Sequence, residues 1–145
     1  MTTLASHCEA LAALLKERKQ TVAVAESSTA GLISSCLLAV PGASAYYLGG
    51  CVIYTMDARR NILGTLCAKT VREKVNATWG IGELGIAGPA GSRYGHEAGI
   101  SVVGVSGPVT LARKVETGHN DREANMWAFA DAAFALLLDA MKQDG

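Results

Sequence analysis

Three consecutive residues with chemistry to offer, Glu26, Ser27 and Ser28, sit in the stretch Thr21 to Gly31, TVAVAESSTAG. Thr21-Val22-Ala23-Val24-Ala25 is apolar and β-branched, which suits a buried strand. The sequence then turns polar at once and becomes apolar again from Thr29 to Val40, a run suited to a helix packed on a sheet. A strand that passes directly into a helix aims the first helical N–H groups, and the positive end of the helix dipole, at whatever lies above the strand's end. A serine at that turn can cap the helix, attack an electrophile beside a ready oxyanion site, or anchor a ligand by hydrogen bonding. Glu26 stands at the carboxyl end of the expected central strand, where α/β proteins place ligands.

The elements that must position this turn follow from periodicity. Residues 3–18 carry Leu4, Cys8, Leu11 and Leu15 at steps of three and four, the pattern of an amphipathic helix. The helix after the turn, 29–40, stops at Pro41-Gly42. Residues 45–54 predict a strand, with Gly49-Gly50 marking a bulge or a close backbone approach. A short helix is expected over 57–66. Thr70 and Glu73 have capping-box spacing and predict a helix from Thr70 through Trp79. A strand over 81–87 leads into the Gly-rich loop 88–99, and 100–105 with 109–116 form an antiparallel hairpin. Asn120 to Glu123 offers a cap for a long last helix, with Met126, Phe129, Ala133, Leu137 and Met141 on one face. The fold class expected is α/β, a three-layer α/β/α sandwich whose mixed sheet is mostly parallel and ends in the antiparallel hairpin.

Bulk properties narrow the function classes. A chain of 145 residues fits one domain, spanning 1–145. Half of the residues are apolar, 18% are charged and the formal net charge is zero, which removes the electrostatic case for nucleic acid. The first 20 residues lack the basic start and long apolar run of a signal peptide, and no stretch reads as a membrane span, so the expected location is the cytoplasm. Cys8, Cys36, Cys51 and Cys67 are scattered with no histidine at ligand spacing; they read as reduced, buried thiols, and no metal is expected.

The segments AESSTAGL (25–32), PGASAYYLGGCVIY (41–54), GIAGPAG (85–91) and GHNDRE (118–123), in collinear order, resemble the C-terminal domain of the competence/damage-inducible CinA family. Members of that family include nicotinamide-nucleotide amidohydrolases. The resemblance implies hydrolysis of the carboxamide of nicotinamide mononucleotide to nicotinic acid mononucleotide and ammonia, with a small-molecule nucleotide as partner and no cofactor. The family's nucleophilic serine falls on Ser27, its strand-end tyrosine on Tyr54, and its lysine base on Arg59. Glu26, Ser28, Thr29, Gly50, Gly88 and Arg122 are the residues that would contact the substrate.

Several positions differ from the family pattern. Arg59 cannot take the serine proton, because a guanidinium stays protonated. A threonine before the Gly-Ile-Ala-Gly-Pro motif becomes Leu84, and the second arginine of the last motif becomes Asn125. The alternative implied is a nucleotide-binding module that has kept the pocket without the reaction. Either form admits self-association, given an apolar domain with an exposed hairpin.

Overall fold

A computed structural model describes residues 2–58, 67–92 and 95–145. The described residues form five strands, β1 (Val22–Glu26), β2 (Tyr47–Val52), β3 (Trp79–Ile86), β4 (Ile100–Ser106) and β5 (Leu111–Glu116). They form one sheet in the order β2-β1-β3-β4-β5. β1 runs parallel to both neighbours, β4 is antiparallel to β3, and β5 is antiparallel to β4. The helices are α1 (Glu9–Arg18), α2 (Leu32–Ala39), α3 (Met56–Ala58), α4 (Cys67–Lys74) and α5 (Arg122–Asp144).

The central strand β1 is buried along its whole length, as its apolar run requires. Its alternate side chains feed two cores. Val22 and Val24 join the larger one with Leu11, Leu15, Ile33, Leu37, Phe134 and Leu137 from α1, α2 and α5. Ala23 and Ala25 join a smaller cluster with Ile53, Val71 and Ala77 on the α4 side. These are the two helical layers of the α/β/α sandwich. The connection from β1 to β2 passes through α2 on one face, while the connection from β2 to β3 uses α4 on the other. β1 is therefore the switch point of the parallel half, and the crevice above its carboxyl end is where such sheets bind ligands.

The helix α5 is long and apolar enough to cross a membrane by length and composition alone, but half of its apolar window is buried inside the domain. Phe129, Ala133, Leu137 and Met141 are fully enclosed, which accounts for its composition as that of a core helix.

The strands fall within about two residues of the expected bounds, and the helix boundaries differ more. The first helix is a single 3₁₀ turn at Ala5–His7 followed by α1. The second starts at Leu32 rather than Thr29, because Ala30 (φ 51°) and Gly31 (φ 102°) adopt left-handed conformations that a helix cannot include. The Thr70 capping box is absent: the chain is already helical at Cys67, and α4 ends at Lys74. Left-handed Asn76 (φ 54°) closes α4, so Trp79 belongs to β3, with its indole N–H on Gln20 Oε1 at 2.9 Å. Of the helix expected over 57–66, residues 59–66 lie outside the described residues.

Gly50 explains its own residue type. A Cβ there would lie 2.1 Å from the Val24 carbonyl oxygen, so only glycine lets β2 close on β1. The glycine pair also accompanies a bulge, seen as a register shift between Val22 and Ala23.

Candidate functional site

The turn after β1 is organised by two carboxylates. Glu26 is completely buried, and its side chain folds over the start of α2 to accept the N–H groups of Gly31 (3.1 Å), Ile33 (2.9 Å) and Ser34 (2.9 Å). These are orphan donors of a helix N-terminus, and a carboxylate there also meets the positive end of the dipole. The helix is thus capped from the last residue of the strand. Neither Ser27 nor Ser28 caps it, and the formal N-cap position is Gly31, with no side-chain cap. The Glu26 carboxylate is committed to α2 rather than turned to the crevice as a substrate contact.

The second carboxylate, Glu83, comes from β3 and is 1% exposed. Its Oε1 accepts the Ser27 N–H at 3.1 Å and the Thr29 N–H at 2.8 Å, and its Oε2 accepts the hydroxyls of Ser28 at 2.6 Å and Ser101 at 3.2 Å. Thr29 Oγ1 lies 2.8 Å from both Glu26 Oε1 and Glu83 Oε1, so one hydroxyl bridges the two acids. Gly85 makes the arrangement possible, since a Cβ there would stand 2.7 Å from Ser28 Oγ and 2.8 Å from Ser101 Oγ.

Two groups of the turn are left over. Among the described residues, Ser27 Oγ has no hydrogen-bond partner, and the backbone N–H of Ser28 has none. Every fully buried side-chain nitrogen or oxygen among the described residues is paired, so the unpaired Ser27 Oγ retains a trace of solvent exposure in a residue 3% exposed. An unpartnered serine hydroxyl followed by a free N–H is the relation between a nucleophile and an oxyanion donor in a strand-to-helix elbow.

A second cluster forms at the rim. The Arg122 guanidinium, at the start of α5, donates through Nη1 to the Gly88 carbonyl, and its Nη2 lies 3.5 Å from the Tyr54 hydroxyl. Gly88 takes φ 105° and precedes a cis bond to Pro89, and a Cβ on it would meet Asn120 O at 2.9 Å. Asp121 caps α5 by accepting the Ala124 N–H. Asn125, where the resemblance expects an arginine, is fully buried; its Nδ2 holds the carbonyls of Ala87 (2.8 Å) and His119 (3.1 Å). It clamps the loop before α5 against the end of β3.

Beside this rim opens a cleft of about 790 Å³ lined by Pro89, Gly91, His96, Glu97, His119 and Asn120, among others. Ser27, Tyr54 and Arg122 do not line it, so it is a neighbour of the turn and not the turn's own pocket.

Of the expected site residues, the structure gathers Ser27, Ser28 and Thr29 around Glu83, and separately joins Tyr54, Gly88 and Arg122. The two groups rise from adjacent strand ends, for Ile53 N–H donates to the Glu26 carbonyl at 2.8 Å. Gly50 lies within β2 against the Val24 backbone and has a packing task. Arg59 lies outside the described residues, as do Arg93 and Tyr94 of the Gly-rich loop. Leu84 faces the α4 side with Gly80 and Gly82, opposite the face carrying Glu83, and is 45% exposed. A hydroxyl at position 84 would therefore not have entered the turn. Glu83, Ser101 and the clamp role of Asn125 were not anticipated from sequence. The available signal was a glutamate inside the glycine-rich apolar strand Gly80-Ile81-Gly82-Glu83, since an acid on a buried strand must have partners.

Cys8 and Cys36 are buried, whereas Cys51 and Cys67 are partly exposed. Burial pushes Cys8 up to about 11 and Cys36 up to about 12, and raises Cys51 as well.

The model of the CinA C-terminal domain matches residues 4–66 and 65–141. A CinA-like protein of Desulforapulum autotrophicum is 34% identical over 91% of this chain and 36% of its own length. A putative competence-damage inducible protein of Moorella thermoacetica is 33% identical over 90% of this chain and 36% of its own length. The chain thus spans little more than a third of the curated relatives it matches. Among solved structures, the competence/damage inducible protein CihA of Agrobacterium tumefaciens superposes with TM-score 0.88 at 23% identity, over 97% of this chain and 99% of that one. The competence damage-inducible protein A of Klebsiella pneumoniae superposes with TM-score 0.89 at 21% identity, over 97% and 98%. At these identities the superpositions speak for the fold alone. The family model covers nearly the whole sequence, and the chain belongs to the CinA family through its C-terminal domain.

Proposed function

We propose that the domain is a serine amidohydrolase acting on the carboxamide of nicotinamide mononucleotide. The observation that carries this reading is the pairing, among the described residues, of an unpartnered Ser27 Oγ with the unpaired N–H of Ser28. Ser27 Oγ attacks the carboxamide carbon while the Ser28 N–H donates to the developing oxyanion. The Ser27 proton is relayed to the departing nitrogen through the neutral Tyr54 hydroxyl, which gives up its own proton as it accepts one, and the nitrogen leaves as ammonia. Water cleaves the resulting ester, returning the proton to Ser27 and freeing the carboxylate of nicotinic acid mononucleotide. Arg122 holds the nucleotide phosphate from the rim, a task suited to a guanidinium fork.

A second reading, a nucleotide-binding module without turnover, is favoured by one observation: among the described residues, no acid or base stands within hydrogen-bond distance of Ser27 Oγ. Incubation with nicotinamide mononucleotide separates the two. Ammonia release that disappears in Ser27→Ala supports the hydrolase. Saturable nucleotide binding without ammonia release supports the module.

A further inference from the structure

We infer that Glu83 is a resident anion: its carboxylate fills the anion-binding nest of the strand-to-helix turn and so requires any group presented to Ser27 to be neutral or cationic. The donors that converge on it, two backbone N–H groups from Ser27 and Thr29 and three hydroxyls from Ser28, Thr29 and Ser101, form the kind of set that a helix N-terminus offers to a ligand phosphate or carboxylate. Here the set is already taken from within the fold. Gly85 leaves the space that lets the Ser28 and Ser101 hydroxyls reach the same carboxylate oxygen.

No cation among the described residues cancels the charge. Among the described residues, neither Glu83 nor Glu26 forms an ion pair, and the Thr29 hydroxyl that bridges them is uncharged. Two buried carboxylates therefore lie directly beneath the Ser27 turn. An anionic group brought to Ser27 meets like charge at close range and finds its natural donors occupied. A carboxamide, or a pyridinium ring bearing it, meets neither obstacle.

The consequence for turnover rests on the hydrolase reading above. Hydrolysis converts a neutral carboxamide into a carboxylate at the same place, and Glu83 then repels the product it helped to select. The anionic phosphate is left to the Arg122 rim.

Replacing the resident carboxylate with an added one tests this without measuring turnover. Thermal unfolding of Glu83→Ala is followed in sodium formate and in sodium chloride at equal ionic strength, beside the wild type and Glu83→Gln. The expected result is a lowered midpoint for Glu83→Ala in chloride and a saturable rise of about 3–6 °C in formate. Wild type and Glu83→Gln, whose nests remain filled, show no such rise. An equal response of Glu83→Ala and wild type to formate overturns the inference. If Glu83→Ala does not fold in chloride, the soluble yield on refolding is the readout. A severalfold higher yield in formate supports the resident anion, and equal yields overturn it. Rescue by formate with no ammonia release from the wild type would remove the hydrolase reading alone, whereas ammonia release with no rescue would remove the resident anion alone.

Discussion

The Ser27–Thr29 turn and the Tyr54–Gly88–Arg122 rim are built in opposite ways. In the turn, two buried carboxylates absorb nearly every donor, and only Ser27 Oγ and the Ser28 N–H remain uncommitted. At the rim, Tyr54 is 67% exposed and Arg122 spends its guanidinium on one carbonyl and a long contact to the tyrosine. Buried polar groups carry a high penalty when a partner is removed, and exposed ones carry little. The turn therefore belongs to the fold's stability, with two groups left uncommitted, while the rim contributes little to it.

Mutations that break the turn should be the most costly. Glu26→Ala strands three N–H groups at the start of α2, and a loss of about 3–5 kcal/mol is expected in urea unfolding. A loss under about 1 kcal/mol would place the turn on the same footing as the rim. Arg122→Ala sharpens the contrast from the other side. It should weaken nucleotide binding about tenfold in calorimetry, the effect of losing a charge-assisted contact, while moving stability by less than about 1 kcal/mol.

Alkali tests the core behind the turn, where Cys8 and Cys36 are buried. Their folded values, about 11 and about 12, lie above the ordinary 9.0 of a thiol, so the unfolded chain releases these protons first. Their stabilising contribution is complete below pH 9 and is lost as pH rises through 11–12. A denaturant midpoint that stays level across that window would contradict the burial. The smallest effect belongs to Ser27→Ala, which removes an unpartnered hydroxyl. Its stability should change by no more than about 0.5 kcal/mol, even as ammonia release stops.

Local sequence marked the elements whose signals are local. The β4–β5 hairpin, the face of α5 and the buried β1 followed from residue periodicity and turn chemistry. Thr70–Glu73 misled because capping-box spacing also occurs inside a helix, where it caps nothing, and the real end of α4 was set by left-handed Asn76. Ser27 and Ser28 were recognisable as a turn with chemical potential, but their separate fates were not. The Ser28 hydroxyl is bound by a carboxylate 55 residues away, and the Ser27 hydroxyl, among the described residues, by none. That distinction depends on β3 lying beside β1, a neighbour relation that no window of sequence contains. Glu83 itself was hidden for the same reason: a strand residue's face is known only once its partners are.

The bridge from Glu83 to Thr29 spans 54 positions and cannot form until β3 has docked on β1. Before then, the N–H groups of Ser27 and Thr29 have no acceptor from their own segment. Their protection against hydrogen exchange thus reports completed assembly of the sheet, whereas that of the α2 interior reports only a local helix. In a pulse-labelling refolding experiment these two amides would be among the late ones to close, so the turn proposed to do the chemistry would also time the arrival of the native state.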